Sequence, residues 1–235
     1  SAKTAGLNLN YAWLRTAQTN LNAALGLDRR QYSNLMSSTN FYTSQYIVHD
    51  WTLTLSGNHF DEWMGGGITS GSATLTDGKL TYGADNPETY GLFNPRHFTK
   101  GLFNVTRDQQ LVPGVWSWVG SVTLQRSSGD LDSAEKIYLG GPYGVRAYPL
   151  SQGGGAQGHV FTQEIQKKLG DGWTASTFVD TGRIEQYRSL TTYAQMKGRT
   201  GADNAYALSG YGFGLSYLSR GISGSMSVAR AMGHN

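Results

Sequence analysis

The residues of this chain best suited to act on each other are Arg146 and Asp180. Arg146 sits in the stretch Asp132 to Pro149, DSAEKIYLGGPYGVRAYP, and Asp180 in the run Phe178-Val179-Asp180-Thr181-Gly182. A guanidinium offers a planar fork of N–H donors and a carboxylate two acceptor oxygens. The two make a bidentate charge-assisted pair stronger than a neutral hydrogen bond. That chemistry positions chain segments; it breaks no covalent bond. Asp180 needs such a partner if its strand crosses a membrane, because an ionised carboxylate facing lipid is strongly unfavourable.

Other chemistries find little support. His49, His59, His97, His159 and His234 form no HExxH, and no GxSxG marks a nucleophile. Gly210-Tyr211-Gly212-Phe213-Gly214 has the look of a nucleotide loop but lies inside a strand pattern rather than before a helix. Asp130, Asp132 and Glu135 lack the spacing of a twelve-residue calcium loop and read as a solvated acidic turn. Lys167 and Lys168 close a strand and are expected to face water or headgroups. No enzyme activity, cofactor or metal is therefore expected.

Composition identifies the elements that must hold Arg146 and Asp180. The 235 residues include 32 Gly, 12% aromatics, no Cys and only 15% charged residues, against about a quarter charged in ordinary soluble domains. No apolar run approaches the roughly 18 residues that a membrane helix needs. A transmembrane β-barrel fits, since only every second residue meets lipid. Absence of Cys suits an oxidising compartment. The net charge of +3 comes without a basic cluster interleaved with aromatics, so nucleic acid is not an expected partner. Ser1 opens no signal peptide, which predicts a mature product or an internal fragment.

Period-two alternation runs through the chain. Leu7, Leu9, Tyr11 and Trp13 alternate with Asn8, Asn10 and Ala12, and Trp116, Trp118, Val122 and Leu124 alternate with Ser121, Thr123 and Gln125. Segments near 5–15, 19–32, 44–58, 67–83, 98–111, 114–127, 158–169, 173–186, 203–219 and 222–233 read as about ten strands. Trp and Tyr near their ends suit interfacial girdles. Short turns such as 170–172 and 219–221 contrast with longer connections at 59–66, 84–97, 128–157 and 187–202, the asymmetry of periplasmic turns against external loops. A soluble β-sandwich is the plainer alternative, disfavoured by the number of apolar outward positions.

Strand parity places Thr174, Ser176, Phe178, Asp180 and Gly182 on one face, which the carboxylate makes the lumen. Gly210, Gly212 and Gly214 leave a smooth wall on the following strand, read either as a barrel bend or as room for another chain segment. The connection 128–157 is far longer than usual and too apolar for a solvated tail, with Ile137, Tyr138, Leu139, Tyr143, Val145, Tyr148 and Leu150. Gly140-Gly141-Pro142 supplies a tight turn. Such a loop is expected to pack into the lumen.

The run from Gln125 to Tyr148 strongly resembles the barrel domain of two-partner-secretion transporters, the ShlB/FhaC/HecB-type proteins of the Omp85 superfamily. The resemblance continues through Gly158, Glu164, FVDTG at 178–182 and the closing Ser227 to Gly233. It implies a loop folded into the lumen whose VRGY/F tip sets an arginine against the aspartate of an FxDxG strand motif. Arg146 is then the loop-tip arginine and Asp180 its partner on the barrel wall. Gly140, Gly141, Val145 and Tyr148 would shape the tip, and Phe178 and Gly182 would frame the acceptor. The glycine of the tip pattern is Ala147 here. Barrels of the family have sixteen strands preceded by POTRA domains, a count within the range of such barrels. Residues 1–235 therefore read as one incomplete barrel domain without POTRA domains, starting near the sixth strand and stopping before the last.

The resemblance also implies a function. The protein would carry a secreted partner exoprotein of the TpsA type (a haemolysin, adhesin or contact-dependent toxin) unfolded across the bacterial outer membrane, with loop 128–157 plugging or organising the pore. Outer-membrane lipid and the barrel-assembly machinery would be its other partners. A passive porin is the alternative, separable by its high and steady ion conductance.

Overall fold

Backbone amides of a strand point sideways, so inside a bilayer each must find a neighbouring strand. The computed structural model describes residues 2–36, 41–82, 97–150, 152–189 and 204–233, and it joins those amides in one ten-stranded antiparallel sheet. The strands are β1 (Ala2–Arg15), β2 (Thr19–Met36), β3 (Phe41–Asp61), β4 (Gly67–Tyr82), β5 (His97–Val112), β6 (Trp116–Ser127), β9 (Gln157–Gly170), β10 (Trp173–Glu185), β11 (Ala205–Ser219) and β12 (Ile222–Ala231). They pair in chain order, and β6 and β9 are direct neighbours. Between those two the chain leaves the sheet and forms a small ribbon of β7 (Ile137–Tyr138) and β8 (Gly154–Gly155).

Turn chemistry fixes one end of the sheet. Asp171-Gly172 and Arg220-Gly221 each join paired strands through two residues with positive φ, as a type I′ hairpin turn requires. The connection expected as a long one at 59–66 belongs to this end. β3 continues to Asp61, and a 3-10 turn at Trp63–Gly65 leads into β4. Gln109 accounts for the tightness, since its Nε2 donates to the carbonyls of Trp63 and Gly66 at 2.8 and 3.0 Å. Of the other expected long connections, 84–97 and 187–202 lie mostly outside the described residues.

Register decides which side chains meet. In β9, β10 and β11, Thr162, Asp180 and Gly210 form one row, and Glu164, Phe178 and Gly212 form the next. Asp180 is fully buried, whereas Val179 beside it is 48% exposed on the opposite face. The exposed face carries Leu7, Leu25, Leu53, Phe103, Phe161 and Phe213, the apolar surface a lipid-facing wall needs. The other face is concave, because segment 128–156 touches β2, β3, β5 and β6 on one side and β9 and β10 on the other.

Two apolar clusters seat that segment. Leu131 and Ala156 pack with Tyr46, Val48, Leu80 and Phe98, and Ile137, Leu139 and Val145 pack with Val160, Ile184 and Leu208. Full burial of one such side chain contributes roughly 1.5–3 kcal/mol. Tyr143 and Leu150 depart from the expectation that the loop's large residues all pack inward, being 95% and 69% exposed. Pro142 and Tyr143 are the central residues of a turn closed by Gly144 N–H donating to the Gly141 carbonyl at 3.1 Å, and central turn side chains point away from the chain that packs.

Candidate functional site

The tip of the inserted segment meets the wall at Asp180. Arg146 donates to Asp180 Oδ2 from its main-chain N–H at 3.1 Å and from Nε at 2.9 Å, and to Oδ1 from Nη2 at 2.9 Å. Its remaining guanidinium nitrogen, Nη1, donates to Glu164 Oε2 on β9. Burial alone would lower the Arg146 pKa, but hydrogen bonds to Asp180 and Glu164 outweigh it and hold the group above its ordinary value. One cation thus faces two wall carboxylates, and Gln166 Nε2 satisfies Glu164 Oε1 at 2.9 Å.

Phe178 supports the guanidinium from below. Arg146 Cζ lies 3.4 Å from the ring centroid, a cation–π contact of about 0.5–2 kcal/mol depending on solvation. The ring occupies space that Gly212 leaves open, since a Cβ at 212 would stand 2.5 Å from Phe178 Cζ. Gly210 does the same for the tip, because a Cβ there would stand 2.6 Å from Ala147 Cβ. The smooth wall on β11 is therefore a receiving surface for Phe178 and Ala147.

Local backbone bonds hold Arg146 in place. Val145 is fully buried and donates to the Leu139 carbonyl at 2.7 Å; Tyr148 donates to the Val145 carbonyl at 3.1 Å, and Gly141 donates to the Tyr148 carbonyl at 2.9 Å. Gly141 has φ +108, and a Cβ at Gly140 would lie 2.1 Å from the Pro149 carbonyl oxygen. Gly182 makes room for Leu139, whose Cδ2 would lie 2.9 Å from a Cβ at 182. Ala147 has no positive φ, so an alanine fits this backbone without strain.

The root of the segment is also held, at the acidic turn expected to be solvated. Asp130, Asp132 and Glu135 are all buried. Glu135 forms ion pairs with Lys100 Nζ and Arg30 Nη2, each at 2.8 Å, and Arg30 also pairs with Asp50. Lys100 Nζ and Gln125 Nε2 donate to the Glu135 carbonyl at 3.2 and 3.1 Å. Tyr46 donates to Asp132 Oδ1 at 2.8 Å, and the same oxygen caps Ala134 N–H at 3.0 Å. Asp130 accepts from the amides of Arg188 and Ser189. The acids are inward because three wall strands present two cations and a hydroxyl to them, and the chain after β10 presents the amides of Arg188 and Ser189. Among the described residues, no group of His, Cys, Asp and Glu side chains is arranged to hold a metal ion.

The contact of Arg146 with Asp180 is the one expected from the sequence; Glu164, Lys100, Arg30 and Asp50 join the site without an expected role. The signal for each was an ionisable residue at an inward parity position. Glu164 pairs with Phe178 across β9 and β10, so it had to share the lumen face once Asp180 was placed there.

Comparisons with known proteins extend this geometry. A family model described as haemolysin secretion/activation protein ShlB/FhaC/HecB matches residues 1–217. Similar solved structures include CdiB from Escherichia coli, with a TM-score of 0.76 and 20% identity over 98% of this chain and 41% of that one. CdiB from Acinetobacter baumannii aligns at a TM-score of 0.50 and 14% identity, covering 98% and 47%. BamA from Haemophilus ducreyi lacking POTRA domains 1-3 aligns at 0.54 and 10% identity, covering 100% and 59%. The chain thus spans less than two thirds of each solved chain, and these likenesses establish the fold. No curated protein sequence matches.

Proposed function

The chain belongs to the haemolysin secretion/activation family ShlB/FhaC/HecB, and from that premise we propose that it is the barrel portion of a two-partner-secretion translocator in the bacterial outer membrane. Its cargo is a TpsA-type exoprotein of the haemolysin, adhesin or contact-dependent-toxin class, passed outward unfolded. Residues 1–235 act as one barrel domain. Outer-membrane lipid surrounds it, and the barrel-assembly machinery inserts it.

The observation that carries this reading is the segment 128–156 packed against the concave face and fastened at both ends. An open diffusion pore needs a clear lumen, whereas here Leu131, Leu139 and Val145 are buried among wall side chains. A path for an unfolded chain then requires the segment to move. Arg146, Asp180 and Glu164 set its resting position, with Phe178 and Gly182 framing the acceptor and Gly140, Gly141, Val145 and Tyr148 shaping the tip. Lumen walls of Ser121, Thr123, Thr162 and Ser176 give a passing backbone hydroxyls to exchange hydrogen bonds with, so no single cargo sequence is required.

Secretion of the partner exoprotein by cells carrying Arg146→Ala or Asp180→Ala tests the proposal. Secretion should fall while barrel assembly, read by heat-modifiable gel mobility, stays normal. Wild-type secretion by both variants would overturn it. In planar bilayers the intact protein should pass small or flickering currents; a large steady conductance would favour a passive porin.

A further inference from the structure

A row of basic side chains crosses the outer face near the long-loop end. Cross-strand pairing sets Arg29 beside His49, His49 beside Lys79 and Lys79 beside His97, with adjacent strands about 4.8 Å apart. All four residues are exposed. Two residues nearer the membrane centre on the same face, Leu27 pairs with Trp51, and Leu7 pairs with Leu27. Arg29, His49 and Lys79 share an open groove of about 570 Å³ with Leu7, Leu27 and Trp51.

The charges of this groove are unbalanced. Asp77, its outward carboxylate, is already engaged by His97 Nε2 at 3.1 Å and Thr99 Oγ1 at 2.8 Å. Asp28 and Asp50 also border the groove, but parity turns them to the concave face, where Asp50 pairs with Arg30. Among the described residues no carboxylate lies within salt-bridge distance of Arg29 or Lys79. Cations on the lipid side of a barrel sit favourably only where their ends reach polar headgroups. Trp51 suits the same depth, that of the interface.

We propose that this groove binds a phosphate-bearing lipid of the external leaflet. The phosphate lies on the guanidinium fork of Arg29 and the ammonium of Lys79, with His49 as a further donor, and an acyl chain descends over Leu27 and Leu7 beside Trp51. A guanidinium matches phosphate oxygens in bidentate geometry. The apolar floor argues for a lipid over a free anion, because a free anion would use the cations alone. The inference rests on the outer-membrane reading given above and is tested by a measurement that does not involve secretion.

Native mass spectrometry of the purified full-length protein in detergent, supplied with diphosphoryl lipid A or its phosphate-free counterpart, provides that measurement. The phosphorylated lipid should be retained, and Arg29→Gln with Lys79→Gln should lower retention about tenfold or more, given the attraction of surface cations for anionic lipid. Arg29→Lys with Lys79→Arg should keep it, Trp51→Ala should weaken it, and millimolar inorganic phosphate should leave it in place. Heat-modifiable mobility checks each barrel, and the single Gln variants are read if the double one does not fold. Equal retention by the Gln variants, equal binding of the phosphate-free lipid, or displacement by inorganic phosphate would each overturn the proposal. Normal lipid binding with failed secretion tests would sink the translocator reading alone.

Discussion

Arg146 meets Asp180 with three N–H donors, its main-chain amide at 3.1 Å and Nε and Nη2 at 2.9 Å. The carboxylate is fully buried, and the guanidinium keeps Nη1 for Glu164. Removing one partner of a buried pair leaves the other uncompensated, which costs about 3–5 kcal/mol. Arg146→Ala should therefore loosen the tip by roughly that amount, read as faster hydrogen exchange over residues 139–148. Arg146→Lys keeps the charge but loses the fork, so it should fall between Ala and wild type. The Arg146→Ala, Asp180→Ala double variant should lose clearly less than the sum of the singles; simple additivity would show the two are not coupled.

The stack Gly212, Phe178, Arg146 makes a second prediction. Gly212→Ala puts a Cβ 2.5 Å from Phe178 Cζ and 2.2 Å from the Val228 carbonyl oxygen. Overpacking of this kind costs about 1–3 kcal/mol, and it should displace the ring that supports Arg146. Phe178→Leu should cost less at the wall but loosen the tip by the lost cation–π contact, about 0.5–2 kcal/mol. A thermal melt together with exchange at Arg146 separates the two effects.

Ala147 and Gly210 share one small space, since a Cβ at 210 would stand 2.6 Å from Ala147 Cβ. Gly210→Ala should destabilise the docked tip by about 1–3 kcal/mol. Adding Ala147→Gly should restore part of the loss, and Ala147→Gly alone should be nearly neutral. No rescue in the double variant would refute the contact.

The root behaves as a separate anchor. Glu135→Gln removes the charge facing both Lys100, which is 15% exposed, and Arg30, which still pairs with Asp50. Loss of about 3–5 kcal/mol at the root is expected if the buried pair is broken outright. Hydrogen exchange should rise over 131–137 and stay unchanged at 145–148. Larger or more frequent current bursts in planar bilayers should accompany it, and Glu135→Gln combined with Arg146→Ala should exceed either alone.

Much of this molecule is readable from residue order, because strand geometry is local. Side chains on a strand alternate whatever lies beside it, so Leu7, Leu9 and Tyr11 against Asn8 and Asn10 determine a two-faced wall, and an ionised Asp180 among them determines which face is the lumen. Asp171-Gly172 and Arg220-Gly221 likewise determine tight hairpins, since few residue pairs accept positive φ twice in succession. Other features depend on which distant residues share space, and that is settled only when the sheet curls. Asp130, Asp132 and Glu135 look like a solvated turn until Tyr46, Arg30 and Lys100, from three separate strands, close around them. The β3–β4 connection looks long until Gln109 of β5 pins its carbonyls. The glycines of β11 are open to two readings until Phe178 and Ala147 arrive against them. Local stereochemistry determined the wall and its polarity; the partners of buried charges and the space left by missing side chains are long-range, and only the tertiary structure decided them.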